Sequence, residues 1–181
     1  MDSTVHQYLD DIQSSDRGAR NSAYEAIIEV TENRVDWAYD VWDEVVSAMA
    51  HKDNQVRSIA SQILCNLAKS DPEERIVKDF PALLKVTKDD RFVTARHCLQ
   101  SLWKVGVAGP RQQETWLKGM KRRFSECAEE KNWSLIRYDI IQSMRNVYDV
   151  AEDDKIKKAA EKLIESESDD KYRKKYATIW K

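Results

Sequence analysis

The side chains that most often carry chemistry are few and scattered in this sequence. His6, His51 and His97 lie far apart, and Cys65, Cys98 and Cys127 are as widely spaced. His97 and Cys98 are neighbours, which is not a metal-ligand spacing, and no other Cys or His lies close enough to complete a site. With four glycines in 181 residues, there is little material for a phosphate-cradling loop or a nucleophile elbow, and neither motif occurs. The expectation is therefore no catalytic residue, no metal and no cofactor, with each Cys and His a packed or exposed helix residue.

Basic and aromatic residues give more to work with. Five arginines, Arg20, Arg57, Arg96, Arg137 and Arg173, each follow an apolar or aromatic residue and precede apolar or aromatic residues three and seven positions on. Arg57, for example, is followed by Ala60 and Leu64, and Arg96 by Leu99 and Trp103. Trp133, Arg137 and Asp139 cluster in sequence, and Lys121-Arg122-Arg123 form a basic run. The formal net charge of −2 hides an asymmetry: residues 1–90 carry 10 basic and 18 acidic side chains, and residues 91–181 carry 20 and 14. Such a dipolar surface can orient a partner.

Helices must position these residues. Gly and Pro number 4 and 3, where roughly 20 would be usual for the length; sheets need turns, and turns need these residues. Ile156, Ala159, Ala160, Leu163 and Ile164 repeat with helical period, as do Ala38, Val41, Trp42, Val45 and Met49. Asp71-Pro72-Glu73-Glu74 reads as an N-cap, a proline at the first helical position and acids in the first turn. The three-and-seven spacing after each arginine is one face of a helix. Successive arginines are 37, 39, 41 and 36 residues apart by their numbers, which is the length of two helices with two short links. A second amphipathic segment lies between each pair of arginine helices, so the unit is a helical hairpin.

This pattern resembles the HEAT repeat. The apolar-Arg pair opening a second helix, with Asp16, Asp53 and Asp169 four residues before the arginine in three units, carries the resemblance. So does Asp79-Phe80-Pro81-Ala82-Leu83-Leu84-Lys85 followed by Lys88-Asp89-Asp90. Phe92 and Trp133 replace the acid in units three and four. The resemblance implies a single all-α domain over residues 1–181, a right-handed α-α superhelix of about five hairpins at 1–32, 33–70, 71–108, 109–149 and 150–181. It implies arginine helices on the concave side and the helices near 4–14, 34–50, 72–87, 110–128 and 152–166 on the convex side.

The five arginines are then expected to form a structural ladder, reaching acids of their own or a neighbouring turn. Five residues after each arginine lie Glu25, Gln62, Ser101, Gln142 and Thr178, and eight after lie Ile28, Cys65, Lys104, Arg145 and Lys181, a face mostly uncharged with basic groups toward its C-terminal end. Gln62, Gln100, Tyr138, Gln142 and Arg145 are the expected partner-binding residues, forming a groove that suits an extended peptide. Arg111, Lys118 and Arg122 share one face of a convex helix, read with the basic run as a solvated surface. The functional expectation is a non-enzymatic scaffold or adaptor with a protein or peptide partner. The second reading is a nucleic-acid-binding protein related to the HEAT-like alkylpurine DNA glycosylases, with Trp133 and Asp139 in the groove. An acidic, polar N-terminus without an apolar run, the odd cysteine count and the lack of any long apolar segment point to a cytoplasmic protein with no membrane partner.

Overall fold

A computed structural model of the chain describes residues 3–181. Among them are eleven α-helices, three short 3-10 turns and no strand. The helices are α1 (Ser3–Gln13), α2 (Arg17–Thr31), α3 (Ala38–Ala48), α4 (Asn54–Leu67), α5 (Arg75–Val86) and α6 (Phe92–Ser101), followed by α7 (Trp103–Gly106), α8 (Pro110–Glu126), α9 (Trp133–Ala151), α10 (Asp154–Glu165) and α11 (Asp170–Ala177). Only Leu102 separates α6 from α7, so the chain alternates five first helices with five arginine-bearing second helices. It divides into two compact units, residues 1–98 and 99–181.

The aspartates that precede the arginines are the reason the second helices start where they do. Asp16 accepts hydrogen bonds from the Gly18 and Ala19 amides, Asp53 from Gln55, and Asp169 from Lys171 and Tyr172. Each satisfies amides that have no partner inside the helix. These two amide bonds hold the Asp16 carboxyl below its ordinary value. At Asp71 the expected cap is displaced. Residues 72–74 form a turn, Glu74 takes a left-handed conformation (φ 57°), and α5 begins at Arg75. Asp71 still serves α5, because its two oxygens accept from the Arg75 and Ile76 amides at 2.9 and 2.8 Å. Pro81 lies inside α5, and no new segment starts there.

In the first unit α4 is the central helix, packed against α1, α2, α3 and α5. Val56, Ile59, Ala60, Ile63, Leu64 and Leu67 are all buried on it. Polar groups in this core are paired: Asn66 donates to Thr31 Oγ1 at 2.9 Å, and Ser61 to the Ser58 carbonyl at 2.8 Å. Trp42 donates from Nε1 to Asp79 at 2.8 Å, tying α3 to α5. Consecutive second helices also meet in register. Tyr24 bonds to Gln62, Asn54 to Thr94 and Ser58 to His97, offsets of 38, 40 and 39 residues.

The second unit centres on α9, which packs against α7, α8, α10 and α11. Its core combines Trp116, Met120 and Phe124 of α8 with Ile136, Ile140, Met144 and Val147 of α9 and Ile156, Ala160 and Ile164 of α10. Tyr176 of α11 donates its hydroxyl proton to the Ser134 carbonyl at 2.9 Å, an offset of 42. Arg123, read from the sequence as part of a solvated basic run, is instead only 1% exposed. It forms a two-pronged bond with Glu130, at 2.6 and 2.8 Å, and so keeps its charge compensated. Arg111, Lys118, Lys121 and Arg122 do lie on the exposed side of α8.

Three members of the arginine series share one geometry. Arg20, Arg57 and Arg173 each donate to the carbonyl six residues earlier, at Ser14, His51 and Glu167. The guanidinium thus closes the turn of its own hairpin. Its other edge reaches an acid further along the chain: Arg20 meets Asp53 at 3.0 Å, Arg57 meets both oxygens of Asp89 at 2.6 and 2.9 Å, and Arg137 meets Glu167 at 2.7 Å. Arg137 also donates to the Phe124 carbonyl at 3.1 Å and lies over the Phe124 ring. Arg173 pairs within its own turn, with Asp170. Arg96 is half-buried and also engaged. Burial opposes ionisation of Asp89, but bonds from Arg57 and the Arg91 amide outweigh it and hold its carboxyl below the ordinary 3.8.

Two predictions follow from this packing. A Cβ on Gly106 would lie 2.7 Å from Val147 and 2.8 Å from the Trp116 ring. Gly106→Ala should therefore destabilise the protein by about 1–3 kcal/mol through overpacking, read as a lowered thermal midpoint. Arg57→Ala leaves Asp89, whose side chain is 5% exposed, without its counter-charge and should cost about 3 kcal/mol. The depressed Asp89 value means its stabilisation is complete above about pH 4, its unfolded value, and is lost as pH falls through the lower folded value. Urea midpoints across that acid range should fall less steeply in Asp89→Asn than in the parent protein.

Candidate functional site

The expected partner-binding residues fall in both units. Gln62 lies in the first, and Gln100, Tyr138, Gln142 and Arg145 lie in the second. Around Gln62 the second helices α2, α4 and α6 form a groove of about 260 Å³. Arg20, Asn21 and Tyr24 contribute from α2, Asn54, Gln55, Ser58, Ile59 and Gln62 from α4, and Val93, Thr94 and His97 from α6. Helical phase explains the selection, since Asn54, Ser58 and Gln62 are spaced by four and recur on one side of α4.

The floor of this groove is a net of hydrogen-bonding side chains. Tyr24 donates its hydroxyl proton to Gln62 Oε1 at 2.9 Å, and Gln62 Nε2 donates to the Ser58 carbonyl at 3.1 Å. Ser58 Oγ and His97 Nδ1 are 3.0 Å apart. Asn54 Nδ2 and Thr94 Oγ1 are 3.3 Å apart, and Thr94 in turn donates to the Asn54 carbonyl at 3.1 Å. Burial, aided by the charge of Glu25, raises the Tyr24 hydroxyl above its ordinary value, so it remains a donor at neutral pH. Arg20, at the mouth, is committed to Ser14, Gln55 and Asp53. Exposed Val93 gives the rim an apolar edge.

In the second unit Tyr138, Gln142 and Arg145 share one side of α9, and all three are half-buried against internal partners. The Lys175 ammonium lies 5.2 Å from the Tyr138 ring centre, and Gln142 donates to Asn146 at 2.9 Å. Arg145 pairs with Asp149 at 2.7 Å while lying over the Tyr148 and Trp180 rings. Gln100 is exposed, with Asp139 at 3.5 Å. The stripe eight residues after each arginine does not hold as a surface, because Cys65 is fully buried in the α4 core. Asn21, Asn54, Gln55 and Thr94 were missed as groove residues. Their signal was available, since each lies within three residues of Arg20, Arg57 or Arg96 on the same helix.

Trp133 opens α9 edge-on to Tyr172 at 4.9 Å and lies beneath Arg137. Asp139 is 3% exposed and follows Trp133 by six positions, which puts the two roughly 120° apart around the helix. Lys171 and Lys175 lie over the Tyr172 and Tyr138 rings, and neither they nor Lys174 have a carboxylate at ion-pair distance among the described residues. All three cysteines are free and buried. Burial pushes the Cys98 thiol up to about 12, which leaves it no thiolate at neutral pH. Among the described residues no group of three or more His, Cys, Asp or Glu side chains is arranged to hold a metal, and no helix is long and apolar enough to cross a membrane.

No family model matches the chain, and no curated protein matches it. Solved structures do. One crystal structure of an engineered protein aligns with a TM-score of 0.51 at 12% identity, over 97% of this chain and 94% of the other. A second, also of an engineered protein, gives 0.50 at 12% identity over 90% of this chain, which spans about half of that one (47%). At this identity the likeness concerns the helical fold alone.

Proposed function

We propose that this protein is a non-enzymatic, HEAT-like scaffold whose five hairpins wind as a right-handed α-α superhelix, and that it binds an extended segment of a protein partner along its second helices. The observation that carries this reading is the groove of the first unit. Asn21, Tyr24, Asn54, Ser58, Gln62 and Thr94 present neutral donors and acceptors from three successive second helices, with His97 beside them. A peptide backbone offers the same alternation of donors and acceptors, and needs neutral partners rather than charges to satisfy it. The free, buried cysteines fit a reducing cytoplasm.

Selection of a displayed library of extended peptides on the folded protein tests the reading. Peptides enriched on the parent should bind a Tyr24→Ala, Gln62→Ala, His97→Ala triple variant at least about tenfold more weakly by calorimetry, while its circular dichroism stays helical. Absence of enrichment, or unchanged affinity in the triple variant, overturns the groove as the binding site.

A second reading is favoured by a separate observation, the lysine-covered aromatic rings of α9 and α11. Unpaired nucleobases stack on such rings while lysines follow the phosphates. This supports single-stranded nucleic-acid binding better than base excision, since Trp133 and Asp139 do not share a face of α9. Binding of an oligothymidylate should weaken steeply between about 50 and 200 mM salt through counterion release, and should fall in Tyr138→Ala and Lys175→Ala. Base release from alkylated DNA, abolished by Asp139→Asn, would instead establish the glycosylase relationship.

A further inference from the structure

Another concavity of the first unit is unlike the groove. It measures about 620 Å³ and lies at the hairpin turns, between the segment from Met49 to Arg57 and the segment from Lys85 to Arg91. Residues 1–98 carry 12 basic and 18 acidic side chains, yet five of those twelve cations line this one cavity against two carboxylates. Arg57 and Asp89 cancel each other through their two-pronged bond. That leaves Lys52, Lys85 and Arg91 beside Asp90, whose side chain is 84% exposed. Lys52, Lys85 and Arg91 have no carboxylate at ion-pair distance among the described residues.

Gathering like charges around a concavity in an otherwise acidic unit raises the free energy of the empty site, and an anion relieves it. The density of charge required exceeds that of one carboxylate. A planar guanidinium beside several ammonium groups matches the oxygens of a phosphoryl group. The volume falls within the range of small-molecule sites. We propose that this turn-edge cavity binds a compact phosphate-bearing small molecule, an inorganic diphosphate or a phosphate ester of similar charge. The site is separate from the peptide groove, although Asn54 borders both, and it does not depend on that groove binding a peptide.

Amide chemical shifts of the full chain, followed during titration with sodium pyrophosphate and separately with ADP in about 0.15 M salt, test the proposal. Saturable shifts confined to residues 49–57 and 85–92 at sub-millimolar ligand are expected from at least one of the two. Stronger binding of ADP would identify a nucleotide as the source of the phosphate, and equal or weaker binding the bare phosphate. The Lys85→Glu, Arg91→Glu double variant changes only exposed side chains and should weaken binding at least tenfold. Non-saturating shifts, shifts spread equally over Lys157, Lys158 and Lys174, or unchanged affinity in the double variant would overturn the assignment.

Discussion

The constraint on which the first hairpins depend is the double commitment of Arg20 and Arg57, each to its own turn and to an acid of the next. A guanidinium presents its donors in a fixed planar fork. In Arg57 one side of that fork satisfies the carbonyls of His51 and Lys52, at the turn of its own hairpin, while the other holds Asp89 of the next turn. A lysine could meet one of these demands but not both in fixed geometry. The bond therefore sets the turn and the spacing to the following hairpin together. Arg20 repeats the arrangement with Ser14 and Asp53, while Arg137 joins the Phe124 carbonyl of the preceding helix to Glu167. The 32 residues between Arg57 and Asp89 and the 30 between Arg137 and Glu167 mark how far the chain travels before the next turn returns to the same edge.

This explains why so much of the helical order was readable in the residues. The arginine period of 36–41 reappears as the offset of side chains that touch across neighbouring second helices: 38 for Tyr24 and Gln62, 39 for Trp133 and Tyr172. Sequence spacing and spatial register are one quantity where successive second helices pack side by side within a unit. The aspartates four residues before Arg20, Arg57 and Arg173 were visible for an equally local reason, because an N-cap acts on amides two and three residues away.

What escaped the sequence depended on partners that no local pattern identifies. Arg123 looks like its neighbour Arg122, yet Arg122 is exposed and pairs one turn away with Glu126, while Arg123 is enclosed and held by Glu130. Their helical phase differs by only one residue, enough to turn one side chain into the packed interior. Cys65 failed as a surface residue for a related reason. α4 is covered on nearly all sides, so counting eight positions from Arg57 reached the core rather than the groove. The start of α5 moved because Asp71 also receives the Tyr39 hydroxyl, at 2.6 Å. That tertiary bond holds the carboxylate in a loop from which it caps the helix at a distance. In the same position Tyr39 is raised to about 12, by burial first and then by its bond to Asp71, so it stays a donor.

The groove poses a different question, whether side chains already bonded to one another retain capacity for a ligand. Gln62 has an oxygen with two lone pairs and two N–H donors. Tyr24 occupies one lone pair, and Nε2 donates to the Ser58 carbonyl at 3.1 Å, with Ser58 Oγ at 3.4 Å from the same nitrogen. One acceptor direction is left over, and the amide that offers it is fixed in orientation. A ligand meeting such a group does not have to immobilise a glutamine side chain, which otherwise costs up to about 2 kcal/mol of rotamer entropy. Internal bonding of this kind therefore reduces the number of contacts a groove residue can make while lowering the entropic cost of each. An elongated partner spanning several helices suits that balance better than a compact one, because it collects single contacts from many prepositioned groups.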